Sequence, residues 1–120
     1  MRAHEAGARA VRGKSMAALR DRIRAKTKRT RGDALATVVA DLNPLLRGWF
    51  GYFQHAWPPR MLTNVDGFVR RRLRAILRKQ EKRPGFGRCN EDQQRWPNAF
   101  FANLGLFTLE AAWDRARRSR

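Results

Sequence analysis

Arg70, Arg74, Arg78 and Lys82 recur at every fourth position of this 120-residue chain, with Arg71 beside the first of them. On a helix such residues are neighbours, and like charges at that spacing repel by about 0.2–0.5 kcal/mol per pair. A face that meets only water mixes acids among its bases, yet the sole acid between Arg70 and Arg83 is Glu81. At 1.5 Å per residue the row spans about 18 Å, long enough to follow several phosphates. Arginine suits that chemistry, because its planar fork gives oxyanions two N–H donors and stacks on bases. Lys79 and Arg83 extend the same stretch. A helix lying on a membrane would want more bulky aromatic anchors than Phe68.

A second constellation is LNPLLRGWFGYF, Leu42 to Phe53. At about 100° per residue, Leu45, Leu46, Trp49, Phe50, Tyr52, Phe53, Ala56 and Trp57 share one broad arc. Arg47, Gly48, Gly51, Gln54 and His55 occupy the other. Each glycine costs roughly 1 kcal/mol relative to alanine inside a helix, so a compensation is expected. Close approach of a ligand to the backbone is the natural one; the alternatives are another helix packed there, or glycines tolerated for no reason. The aromatic residues read as core, with Tyr52 at the edge of the arc as the candidate for base stacking.

Catalytic patterns are missing. The carboxylates are few and dispersed, and His4 and His55 lie in different regions without metal-ligand spacing. The chain contains neither G-x-x-x-x-G-K-[ST] nor G-x-S-x-G. PGFGR, with the adjacent Arg88, is only a weak phosphate motif. Cys89 is the only cysteine, which excludes an intrachain disulfide and a Cys-based zinc finger. No cofactor, no metal and no stand-alone enzyme are expected. The longest apolar runs are a few residues and no signal-type segment follows Met1, so the expected location is cytoplasmic.

Charge supplies the positive indication. Twenty-seven Lys and Arg against 10 Asp and Glu give +17, which opposes compaction and calls for a polyanionic partner. Residues 1–31 hold 11 bases and residues 70–88 hold nine, whereas 33–69 has only Arg47 and Arg60. Two basic blocks therefore flank a nearly neutral centre. With 42% apolar residues, a modest core can form around that centre.

These groups need helices to position them. Residues 1–13 lack apolar periodicity and are expected to be a flexible basic tail. Ser15 is expected to cap a helix with Met16, Leu19 and Ile23 inward, ending near Thr27. Asp33 is expected to cap the next, with Leu35, Val38, Val39 and Leu42 inside. That helix should stop at Asn43, because the residue before proline disfavours the α region. Asn43 and Pro44 then begin another. WPPR, Trp57 to Arg60, marks the boundary between segments 14–57 and 58–120. Beyond it, Asn64 or Asp66 opens a helix to about Arg83 with Val65, Val69, Leu73, Ile76 and Leu77 buried. RPGFGRCN is loop, and a helix from about Asn90 is interrupted at Trp96-Pro97. NAFFANLG ends at Gly105, and Thr108 caps a final helix carrying Leu109, Ala112 and Trp113. The fold class is all-α: a small helical bundle followed by a basic helical segment.

LNPLLRGWFGYF closely resembles the maturase-specific motif of group II intron-encoded reverse transcriptases. Its flanks agree: KRTRGDALATVVADLNP is similar to the family's lead-in, and VDGFVRRRLRAILRKQEKRPG to its downstream basic helix. RWPNAFFANLGLFTLEAAW is similar to the C-terminal stretch, so the likeness runs from about Lys14 to Trp113. It implies a thumb-like maturase bundle over 14–57 and a DNA/RNA-binding segment over 58–120. Such a module is implied to bind group II intron RNA, assist its splicing, and contact target DNA during intron mobility.

The lead-in then assigns RNA binding to Lys14, Arg20, Arg24, Lys26, Lys28, Arg29 and Arg31. The signature, which includes Asn43, Pro44, Trp49 and Phe53, adds Arg47, Gly48, Gly51 and Tyr52. The basic helix assigns contacts to a DNA or RNA backbone to Arg70, Arg71, Arg74, Arg78, Lys79, Lys82 and Arg83. The chain departs from the family in lacking a Tyr-Ala-Asp-Asp or comparable pair of aspartates and a Cys/His endonuclease site. It therefore resembles a C-terminal piece. The alternatives to the RNA-binding module are a fragment docking on a separately encoded reverse transcriptase domain, or a non-functional gene remnant.

Overall fold

Helices account for the regular structure of the computed structural model, which describes residues 15–82 and 90–118. The expected tail, Lys14, Arg83 and the 83–89 part of the expected loop lie outside the described residues. Helix α1 covers 15–26. It is followed by α2 (Leu35–Phe53), α3 (Pro59–Gln80), α4 (Asn90–Arg95), α5 (Asn98–Asn103) and α6 (Leu109–Arg118). Among the described residues there is no strand, so the fold is all-α. No described helix is long and apolar enough to cross a membrane.

One apolar cluster joins the helices. Leu19 and Ile23 of α1 meet Val38, Val39, Leu42 and Leu46 of α2 and Leu62, Val65, Val69, Leu73 and Ile76 of α3, with Phe101 and Leu109 closing the far side. Each of these side chains is essentially sealed from water. At roughly 1.5–3 kcal/mol for each fully buried large aliphatic side chain, this cluster is what opposes the self-repulsion of the charge.

Several helix ends differ from expectation. Ser15 is already helical instead of standing before α1. Helix α2 runs unbroken through Pro44. Proline has no N–H to give the carbonyl four residues back, a cost of about 3 kcal/mol in an isolated helix. Leu42 and Leu46, both fully buried on either side of it, hold the helix together. Asn43 is thereby released from capping. Its side-chain amide donates to Gly105 O at 2.8 Å, and its carbonyl oxygen accepts from Phe107 N at 2.8 Å. It clamps the loop before α6 onto α2.

Asp33 likewise caps nothing: the residue before α2 is Ala34, without a side-chain cap, and Asp33 pairs with Arg31. Helix α3 starts at Pro59, earlier than Asn64 or Asp66, because the Pro58-Pro59 pair supplies the fixed φ that a first turn favours. At the end of α5, Gly105 has φ +87°, Leu106 N donates to Phe101 O and Gly105 N to Ala102 O. That pair of bonds is a Schellman closure, which requires a left-handed residue at this point.

Arg72 was not among the expected functional residues, and it holds α1 to α3. Its guanidinium donates to Thr27 Oγ1 at 3.1 Å, to Thr27 O at 3.0 Å and to Arg24 O at 3.3 Å. It thus satisfies carbonyls at the C-terminal end of α1, where positive charge is favoured. Arg72→Ala is expected to lower stability by about 1–3 kcal/mol in urea unfolding, since its acceptors lose a charged donor. Lysine cannot reproduce the fork, so Arg72→Lys should recover only part of the loss.

Candidate nucleic-acid interface

The basic row of α3 does not stay on one face. A step of four residues overshoots one turn by about 40°, so the row from Arg70 to Lys82 winds through about 120°. Its middle passes under α4 and α5. Arg74 is only 5% exposed; its Nε donates to Trp96 O at 2.9 Å and its Nη2 to Asn98 Oδ1 at 3.3 Å. The guanidinium also lies 5.3 Å from the centre of the Phe101 ring. Arg78 donates to the buried carboxylate of Asp92 at 2.6 Å. The expectation of a single exposed row is thereby corrected. Arg74 and Arg78 fasten the C-terminal helices, whereas Arg71, Lys79 and Lys82 are exposed.

What the winding creates is a cleft. Gly67, Arg70, Arg71 and Arg74 of α3 face Gln93, Pro97, Asn98 and Ala99 across about 570 Å³. Burial first, and then the neighbouring charges of Arg70 and Arg71, hold the Arg74 guanidinium below its usual pKa; Asp92 opposes them. Arg70 and Arg71 stand here beside Arg74, whose Nε and Nη2 are already bonded to Trp96 O and Asn98, an arrangement in which the first two can receive a phosphate.

The first basic block is also divided. Arg31 donates to Lys26 O at 2.7 Å and pairs with both Asp33 and Asp41. It ties the turn between α1 and α2, and its hydrogen bond holds the Asp41 carboxyl below the usual carboxylate range. Arg20 and Arg24 lie over the Phe68 ring at 5.5 and 5.2 Å, and Arg24 also pairs with Asp21 at 2.9 Å. Lys26 and Arg29 are half-buried, and Lys28 and Arg22 are exposed. Arg22 was not among the candidates.

Around the LNPLLRGWFGYF stretch, aromatic side chains stack along α2. Trp49 lies 5.1 Å from Phe53, and Phe53 lies 4.8 Å from Trp57 at an interplanar angle of 8°. Phe50 meets Phe107 edge-on at 6.1 Å, and the Arg47 guanidinium lies 5.6 Å from that same ring. Trp57 is buried and Trp49, Phe50 and Phe53 are half-buried, as expected of core, while Tyr52 is 84% exposed. A Cβ added at Gly48 or Gly51 would meet nothing within 4 Å. Among the described residues, no other helix packs there.

Asp66 is the least visible of the important residues in the sequence. It is 2% exposed inside α3, and it accepts from Leu109 N at 2.8 Å and Glu110 N at 2.9 Å. It therefore caps α6 from across the bundle, while the expected cap Thr108 contributes only a 3.4 Å contact to Ala111 N. Its signal was an acid set within the apolar stripe, between Leu62 and Val69. Among the described residues, no group of three His, Cys, Asp or Glu could hold a metal ion.

Residues 16–96 match the family model described as "Group II intron, maturase-specific domain". No curated protein matches the chain.

Proposed function

Because this chain belongs to the group II intron maturase-specific domain family, we propose that it is a non-catalytic RNA-binding module that grips intron RNA and supports its splicing-competent fold. The observation that carries this reading is the arginine cleft on α3, flanked by the exposed Arg71, Lys79 and Lys82. The acids that could neutralise this charge are engaged elsewhere. Asp92 receives Arg78, Glu81 receives Arg95 at 2.7 Å, and Asp66 receives backbone N–H groups. Lys82 supports the reading too. It has φ 62°, a left-handed conformation that glycine adopts more cheaply, yet a cation stands there.

Arg22, Lys28 and Arg47 are also exposed and add further contacts. Target DNA, contacted through the α3 face, and a separately encoded reverse transcriptase domain are further partners of the same reading. Phosphate contacts release counterions, so affinity for a structured group II intron RNA is expected to fall steeply and log-linearly with salt. A filter-binding series over a range of salt concentrations tests this. A flat dependence, or no binding at low salt, would overturn it.

A further inference from the structure

We propose that the groove beside α2 takes one unstacked base of single-stranded RNA, with Tyr52 as its stacking face. This rests on the RNA-binding reading above and names what that RNA presents. Arg22, Pro44, Leu45, Gly48, Trp49 and Tyr52 line about 440 Å³ here, with Phe53 behind them. The volume lies in the range of pockets that hold small molecules. Among the described residues, Tyr52 is the one large apolar side chain left in the open, at 84% exposure. Its ring is braced at 5.6 Å against Phe53, itself fixed in the Trp49–Phe53–Trp57 stack, so little freedom is lost when a base settles on it.

Gly48 stands one turn before Tyr52. Gly48 and Tyr52 line the same groove. Among the described residues, a Cβ built at 48 would meet nothing within 4 Å. Packing therefore does not account for the glycine. An uncovered approach to the ring does.

Charge selects the occupant. Among the described residues that line the groove, Arg22 is the only charged one and none is a carboxylate. An apolar protein segment gives this cation no partner, and a second copy brings another +17 to the contact. A nucleotide satisfies both halves of the groove, its base on Tyr52 and its phosphate toward Arg22.

The test compares two RNA probes of equal phosphate number, one unpaired and one a perfect duplex, by fluorescence anisotropy with the full chain. Tyr52→Ala and Gly48→Leu should each weaken binding of the unpaired probe about tenfold, with duplex binding unchanged. Tyr52→Phe should bind as the parent does. Circular dichroism establishes that each variant is folded, and if one is not, the other decides. Equal losses on both probes, or none on either, overturn the groove while leaving salt-dependent binding of the parent chain intact. If the parent chain binds neither probe, the RNA-binding reading fails with it. A parent chain that self-associates in sedimentation, and a monomeric Tyr52→Ala, would show a protein interface instead and overturn the proposal.

Discussion

Asp66→Ala will destabilise the domain by about 2–4 kcal/mol, the largest loss expected of any single polar substitution here. The carboxylate accepts from Leu109 N and Glu110 N, the first two residues of α6. Without it, Leu109 N is left buried and without an acceptor, and α6 loses its N-terminal cap. Leu109, fully buried against α3, would be drawn out as the helix frays. Urea unfolding measures the loss, and the helical signal of the native baseline should fall as well. An unchanged midpoint would mean that Thr108 alone suffices as the cap.

The pH dependence follows from the same site. Burial raises the Asp66 pKa above its ordinary value, and the two backbone N–H donors and the charge of Arg70 only partly oppose it. The folded protein thus holds this proton more tightly than the unfolded chain does. Its contribution to stability is fully present below the unfolded value of about 3.9 and is lost as pH rises through the raised folded value. Asp66→Asn keeps one acceptor and removes the ionisation. The advantage of the parent over Asp66→Asn should therefore be greatest in acid and shrink as pH increases. An advantage that grows with pH would mean that the hydrogen bonds outweigh burial.

How legible all this was in the sequence depended on whether the cause was local. The buried stripe of α3, the break at Trp96-Pro97 and the Gly105 terminus rest on periodicity, missing donors and left-handed φ, all written in neighbouring residues. Pro44 misled because its local cost is real, and only the burial of Leu42 and Leu46 shows why it is overcome. Asn43 was recognised as a capping residue, but its partners lie 62 and 64 positions away. Arg72 lies in sequence among the candidate cations, of which Arg74 is one, and is alike in chemistry. Nothing in their spacing tells which arginine meets the end of α1, which is roofed by α5 and which is left for a ligand. Tyr52 was legible as the odd aromatic because its position at the edge of the arc is a local property. The acceptors and cavities of the candidate site are tertiary, so they were not.

That division makes the charge prediction specific. Neutralising Arg71, Lys79 and Lys82 together to glutamine should reduce affinity for structured RNA about 10- to 100-fold at low salt and lower the log–log salt slope by about 2–3. All three are exposed on α3. None of their side chains supports the core, so thermal unfolding should move little. Arg74→Gln and Arg78→Gln have the same formal effect on net charge but act through folding: they release Trp96 O and Asp92, which hold α4 and α5 in place. Their RNA affinity should fall together with thermal stability, and the salt slope should change by less than for the exposed set. Bulk charge, acting without regard to position, would make both sets equivalent per charge removed. An equal drop in slope per residue would therefore refute the assignment of the α3 surface as the phosphate-contacting face, while a drop confined to Arg71, Lys79 and Lys82 would separate the cations that meet RNA from those that build the fold.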